Sequence, residues 1–240
     1  MRLDIYVKSL CSSRTKAKEA IESGCVKVNG IVVKKGSFLL EKDDEVSVDS
    51  KDLLLSRAGY KLRGFIESLV QKGLWDRAYL FHKKAIDIGA STGGFTQVLL
   101  ESGVDSVVCV DVGKNQLHTS ILQDERVSVF EECDIRDFSD EGEFDLMVCD
   151  VSFISLYKLM ESFERLNVKE YIWLFKPQFE VGLNAKRNKK GVLKDKSLGQ
   201  KAVDEFCENL KKRNFSVIAS EKSRVSGKEG NEEFFVYARR

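Results

Sequence analysis

The chain has one proline in 240 residues, two histidines, and six cysteines that never form a Cys-x-x-Cys pair. Seventeen glycines and a single proline exclude a collagen-like or low-complexity chain. The cysteines stand at positions 11, 25, 109, 133, 149 and 207. Structural zinc sites draw on close pairs, so no metal is expected. Cys109 and Cys149 lie inside apolar runs and are expected as small buried hydrophobes. No apolar run exceeds five residues, the length reached at Tyr171–Phe175 and Phe234–Ala238. A membrane-spanning helix needs about 20, so no membrane partner is expected. The opening Met1-Arg2-Leu3-Asp4 has no secretion-signal core, which points to the cytoplasm. Nor is one sign of charge in excess. With 39 basic and 38 acidic residues, only the distribution of charge can speak of a polyanion.

That distribution is blocky. Residues 1–36 carry eight basic and three acidic side chains, 57–84 seven and two, and 176–201 eight and two. Between them, 124–145 holds ten acids against two bases. Three basic blocks suit one face turned toward a polyanion, the competing reading being solvated helix faces. The 42% apolar and 32% charged fractions are those of a globular protein. The length allows a medium domain with a small one beside it.

The first 50 residues read as a small α+β unit. Leu3, Ile5, Tyr6, Val7 and Leu10 make a short apolar stripe, and Ser12 or Ser13 can cap a second helix carrying Ala17, Ala20 and Ile21. Gly24 ends it. Val26 and Val28, the turn Asn29-Gly30, then Ile31 to Val33 read as a hairpin, with a last strand at Val46 and Val48. A core this small is marginal alone and is expected to lean on the rest of the chain or to gain order on binding. The pattern R-L-D-x-x-V, then S-R-x-x-A-x-x-x-I-x-x-G-x-V-x-V-N-G, resembles the alpha-L RNA-binding module over about residues 1–48. The resemblance implies that Arg2, Arg14, Lys16, Lys18 and Lys27 face structured RNA. Arg14 and Lys18, four apart, share a helix face, and such cations grip phosphates without reading sequence.

From about residue 56, strands alternate with helices. Strand candidates are Ala85–Ile88, Ser106–Val110, Val127–Phe130, Phe144–Cys149, Tyr171–Phe175, Ser216–Ala219 and Glu233–Ala238. Helix candidates are Gly93–Glu101, Gln116–Leu122, Leu156–Leu166 and Ser197–Arg213. Such alternation builds a mostly parallel sheet, here of seven strands, the last two as an antiparallel hairpin. Asp87-Ile88-Gly89-Ala90-Ser91-Thr92-Gly93-Gly94-Phe95 takes a buried strand into a glycine turn and a helix, where open α/β sheets hold ligands. It is neither a dinucleotide G-x-G-x-x-G nor a P-loop. With Asp111 ending the next strand, placed for two ribose hydroxyls, the D-x-G-x-x-x-G turn resembles the S-adenosylmethionine (SAM) methyltransferase fold. The candidate SAM contacts are Asp87, Gly89, Ser91, Thr92, Gly93, Gly94, Phe95 and Asp111.

Four further segments are Ser56-Arg57-Ala58-Gly59-Tyr60-Lys61-Leu62, Asp150-Val151-Ser152-Phe153-Ile154-Ser155-Leu156, Lys176-Pro177-Gln178-Phe179-Glu180 and Gly230-Asn231-Glu232-Glu233-Phe234. In this order, behind an alpha-L module, they resemble the TlyA family of ribosomal RNA methyltransferases, often labelled hemolysins, and the FtsJ family of ribose 2′-O-methyltransferases. The resemblance implies a division at residue 55. An α+β RNA-binding domain would span 1–55, and a Rossmann-like SAM-dependent methyltransferase domain 56–240. It implies ribosomal RNA and ribosomal subunits as partners, a cytidine ribose as acceptor, a monomer, and a Lys-Asp-Lys-Glu tetrad at Lys61, Asp150, Lys176 and Glu233. Glu232 competes for the last place, since neighbouring strand residues face opposite ways. An Asn that follows the third strand in that family is matched here by Asp134, a candidate acceptor for the adenine amino group. A ribose hydroxyl is a poor nucleophile while protonated. A partly buried lysine beside another cation gives up its own proton more readily, so Lys176 is the expected proton acceptor or stabiliser of the oxygen. Two other classes compete: a membrane-active hemolysin, and a ribosome assembly factor that no longer catalyses. His82 and His118 lack triad partners and read as structural.

Overall fold

The computed structural model describes residues 1–10, 14–48, 54–182, 184–227 and 229–240. The serines expected to cap the second helix, and Cys11, lie outside the described residues. Helices α1 (Leu3–Leu10) and α2 (Arg14–Ser23) pack on a three-stranded antiparallel sheet of β1 (Val26–Val28), β2 (Ile31–Val32) and β3 (Val46–Val48) in the order β2-β1-β3. Leu3, Val7, Ala17, Ala20, Ile21, Val26 and Val28 form its own small core. Asn29 and Gly30 both take positive φ, 51° and 78°, as a two-residue hairpin turn requires.

The rest is a seven-stranded sheet in the order β6-β5-β4-β7-β8-β10-β9. Its strands are β4 (Lys84–Ile88), β5 (Ser106–Val110), β6 (Val127–Phe130), β7 (Glu143–Cys149), β8 (Asn167–Phe175), β9 (Ser216–Lys222) and β10 (Phe234–Arg239). Five run parallel, and β10 lies antiparallel to both β8 and β9. The helices are α3 (Arg57–Gln71), α4 (Gly94–Glu101), α5 (Thr119–Leu122), α6 (Met160–Arg165), α7 (Pro177–Glu180) and α8 (Ser197–Lys212). Side-chain alternation splits the core between the two faces. Met147, Tyr171, Trp173 and Val236 meet Phe163, Val203 and Phe206 of α6 and α8. Leu146, Val148, Ile172, Leu174 and Phe235 meet Leu62, Phe65, Phe95 and Leu99 of α3 and α4. Cys109 and Cys149 are buried thiols inside these layers, both pushed up to about 12 by burial.

Several elements differ from expectation, among them the unexpected short helix α7, and β9, which runs on to Lys222 rather than ending at Ala219. Helix α3 is absent from the periodicity reading, because Gly59 and Gly64 weaken its pattern. Gly59 serves close packing: a Cβ there would stand 2.9 Å from the Gly94 carbonyl oxygen of α4. Strand β8 begins at Asn167 rather than Tyr171. Its polar Glu170 is buried and accepts bonds from Tyr79, Tyr237 and Arg239, with Lys83 at 3.2 Å. The helix expected over 156–166 is a 3-10 turn, Leu156–Lys158, followed by α6. Helix α5 starts at Thr119 rather than Gln116, because the His118 ring caps it by accepting from the Ser120 backbone N–H.

Candidate active site

The carboxyl ends of β4, β5 and β7 meet at the glycine turn. Gly89 takes φ 80°, and a Cβ on it would lie 3.1 Å from the Asp150 carbonyl group, so the ends of β4 and β7 touch there only without a side chain. Asp111 fixes the turn from β5: the Ser91 N–H donates to Oδ2 at 2.8 Å and the Gly113 N–H to Oδ1 at 2.7 Å. A cavity of about 520 Å³ opens beside it, lined by Gly89, Ser91, Asp111, Gln116 and Asp134, with Ile135 and Leu159 as apolar wall. Each Asp111 oxygen keeps one free lone pair, the acceptor set a ribose with two hydroxyls needs.

A second cleft, of about 810 Å³, holds Lys61, Asp150 and Lys176 with Thr92 and Phe95. Lys176 and Asp150 form an ion pair at 2.6 Å, with side chains only 8% and 14% exposed. The Lys176 ammonium also donates to Ser152 Oγ at 2.7 Å. The ion-pair partner of Lys176 is thus the Asp150 carboxylate, and Lys61 lines the same cleft. Lys61 Nζ stands 2.6 Å from Glu233 Oε2, with 9% and 4% exposure. Glu232 turns outward to Lys196 and Lys222. Glu233 immediately precedes β10 rather than lying in it. Both cavities are lined by Gly89, Ser91, Asp150 and Ser152.

Three expected cofactor residues lie outside these walls. Asp87 is 0% exposed and sits behind the turn, accepting from Thr96 Oγ1 at 2.6 Å; burial pushes its carboxyl up to about 7. Gly93 caps α4 at φ 87°, where a Cβ would meet Ile121 Cγ1 at 2.8 Å. Gly94 is the packing partner of Gly59. Spacing along the chain cannot separate residues that line a pocket from those that support its floor. Asp134 does line the first cavity, but Arg136 grips both its oxygens at 2.9 and 2.6 Å and holds its carboxyl below the usual range.

Residues 54–240 match the FtsJ-like methyltransferase family and residues 1–46 the S4 domain. The 23S rRNA (cytidine-2'-O)-methyltransferase TlyA of Campylobacter jejuni is 41% identical, the match covering 99% of this chain and 98% of that protein. The chain belongs to the TlyA family. Hemolysin A of Brachyspira hyodysenteriae is 35% identical, with 99% of each covered. A hemolysin structure from Streptococcus thermophilus superposes with a TM-score of 0.70 at 31% identity, over 100% of this chain and 88% of that one. The TlyA architecture, an S4 domain before an FtsJ-like Rossmann-type domain, is therefore the architecture of this chain.

In this TlyA-family chain the S4 helix α2 reaches the second cleft, which Arg14 and Lys18 also line. Arg57 ties the two parts together, 3.4 Å from Glu22 of α2 and donating to the Ser226 carbonyl at 3.0 Å. Lys18 is exposed and pairs with Glu22 at 3.6 Å. Lys27 is exposed on β1, Lys16 is half-buried, and Arg2 forks onto Asp4. Only Arg14 and Lys18 of the five come near the catalytic candidates. Sequence reasoning missed Gln116, Ser152 and Phe153 as wall residues. Ser152 and Phe153 belong to the segment that follows Asp150, and their position directly after that carboxylate was the available signal. Phe153 is 92% exposed at φ 66°, with Phe179 5.3 Å away as its ring neighbour.

Proposed function

We propose that this chain methylates the 2′-hydroxyl of a cytidine ribose in ribosomal RNA, using SAM. One observation carries the reading: Asp150, the ion-pair partner of Lys176 in the basic cleft, stands in the wall that this cleft shares with a nucleoside-sized cavity. The name of the C. jejuni relative and the S4 match support RNA as the acceptor. Bound SAM supplies an activated methyl group on a positively charged sulfur. Asp111 would hold its ribose, Ile135 and Leu159 its base, and Asp134 its amino group, to the extent that Arg136 yields an oxygen. Lys176 first releases its ammonium proton to solvent and then, as the neutral amine, accepts the hydroxyl proton, while Asp150 and Ser152 fix its nitrogen in the cleft. Lys61, anchored by Glu233, places positive charge near the oxygen as it becomes nucleophilic. In-line attack depends on position, so much of the rate comes from holding the ribose still. Arg14 and Lys18 grip phosphates on the approach.

The same reading assigns the work to a cytoplasmic monomer acting on ribosomal subunits, divided near residue 55. No helix among the described residues is long and apolar enough to cross a membrane. Among the described residues no group of three or more His, Cys, Asp or Glu is placed to hold a metal ion. The test is methyl transfer from labelled SAM to ribosomal subunits, followed by alkaline hydrolysis. A 2′-O-methyl group blocks strand cleavage at its own nucleotide, so label in an alkali-resistant dinucleotide supports the reading. Label released in mononucleotides means that a base is methylated and refutes it.

A further inference from the structure

The third basic block folds into a device that the catalytic proposal does not use. Lys186 to Lys194 form a small hairpin. The Lys194 N–H donates to the Lys186 carbonyl at 3.0 Å, Arg187 bridges Leu193, and the Asn188 N–H donates to the Val192 carbonyl at 2.9 Å. Asn188 Oδ1 accepts from the Lys190 and Val192 N–H groups at 2.8 and 3.0 Å, and Gly191, at φ 77°, closes the turn. The hairpin is fastened to the catalytic end of the sheet at two points. The Arg187 guanidinium donates to the carbonyls of Gln178 and Gly182 at 3.0 and 2.8 Å, in the segment that follows Lys176. Asn231, in the stretch leading to Glu233, accepts from the Leu193 N–H at 3.1 Å and donates to the Gly191 carbonyl at 3.4 Å. Arg187 and Asn231 are thus struts.

What the struts present is unbalanced charge. The nine residues hold four lysines besides Arg187 and no acid. Lys186 and Lys194 face each other across the hairpin, while Lys189 and Lys190 occupy its tip. All four are exposed, and among the described residues none pairs with a carboxylate. Elsewhere lysines such as Lys169, Lys201 and Lys211 stand beside acids. Like charges set opposite one another on a rigid hairpin destabilise it, a cost that a closely spaced row of anions would reverse.

We infer that the hairpin Lys186–Lys194 is a second RNA-binding arm, which grips the phosphate backbone beside the catalytic cleft independently of the S4 domain. This rests on the proposal that RNA is the substrate. Phosphates fit the arm because lysines act as point charges with no planar geometry to match, and because the hairpin carries no aromatic ring to read a base.

The test replaces Lys186, Lys189, Lys190 and Lys194 together with Gln. Binding is measured to ribosomal subunits from cells lacking the gene, across a salt series, with SAM affinity and melting temperature as checks on the fold. The control removes four lysines that stand beside acids, Lys72, Lys169, Lys201 and Lys211, for the same change in net charge. The arm variant should bind subunits at least tenfold more weakly near 0.1 M salt. Its slope of log affinity against log salt should shrink by roughly 3, at about 0.7–0.9 for each of the four phosphates no longer gripped. The control should keep the wild-type slope, and both should bind SAM normally. An unchanged affinity and slope in the arm variant, or an equal loss in the control, overturns the arm. Wild-type protein that binds subunits without methylating them overturns the proposed reaction, and the arm is still decided by binding.

Discussion

Lys61 and Glu233 are the pair whose removal separates folding from catalysis most cleanly. Their side chains are 9% and 4% exposed and stand 2.6 Å apart. A Cβ on Gly227 would lie 2.5 Å from Glu233 Oε1, so backbone already crowds the other oxygen. Lys61→Met leaves the carboxylate buried without its counter-charge, which costs about 3–5 kcal/mol. For a domain of this size each kcal/mol lowers Tm by about 2–4 °C, so the variant should melt roughly 6–20 °C below wild type. Lys61→Met combined with Glu233→Met removes both charges and fills similar volume, and should recover most of that loss, because apolar replacement of a buried pair is often neutral. Methyl transfer should stay lost in the double variant. Scanning calorimetry without SAM, alongside single-turnover methylation, reads both effects. A Lys61→Met protein melting within about 2 °C of wild type, or a double variant no more stable than the single one, refutes a desolvated pair. A double variant that regains activity refutes the catalytic role of Lys61.

Two further outcomes follow from the turn. Asp111→Ala strips the acceptor from the Ser91 and Gly113 N–H groups as well as from any ribose. At about 1.5–3 kcal/mol for each of two charged hydrogen bonds, SAM affinity by calorimetry should fall by roughly 100-fold or more, and an unchanged value sinks the pocket assignment. The pH response of Asp87 is equally specific. Its carboxyl, 3.8 in the reference state, rises to about 7 through burial, so the folded chain holds the extra proton and stability is lost as pH climbs toward and through 7. Asp87→Asn removes that loss. The variant should be more stable than wild type at about pH 8, by up to roughly 4 kcal/mol, with the gap closing toward about pH 5. Parallel denaturation profiles at the two pH values would contradict a buried, protonatable Asp87.

The sequence was most legible where burial leaves a residue few alternatives. Strands β5 and β6 occupy the expected residues, Ser106–Val110 and Val127–Phe130, because each is a short valine-rich run bounded by charged residues. It was least legible where a polar residue is buried by distant partners. Glu170 extends β8 because Tyr79, Tyr237 and Arg239, all remote in sequence, satisfy it. The glycines of the D-x-G-x-x-x-G turn looked alike as a string, yet Gly89 lines both cavities while Gly93 and Gly94 make room for Ile121 and Ser56. Spacing also hid the arrival of Arg14 and Lys18 at the cleft, which depends on how α2 meets α3 through Glu22 and Arg57. Motif order, by contrast, brought Lys61, Asp150 and Lys176 into consideration before any distance was known, and the fold gathers them in one cleft.

Mass-spectrometric mapping of ribosomal RNA, incubated with SAM and either wild-type protein or Lys176→Ala, tests the proposed reaction most directly. Wild type should add 2′-O-methylcytidine at a defined position. Lys176→Ala, with SAM and RNA affinity little changed, should add it at least about 100-fold more slowly, the usual worth of a general base. A wild-type rate from Lys176→Ala would contradict proton transfer at the Lys176–Asp150 pair. A methyl group found on a base would contradict the ribose acceptor itself.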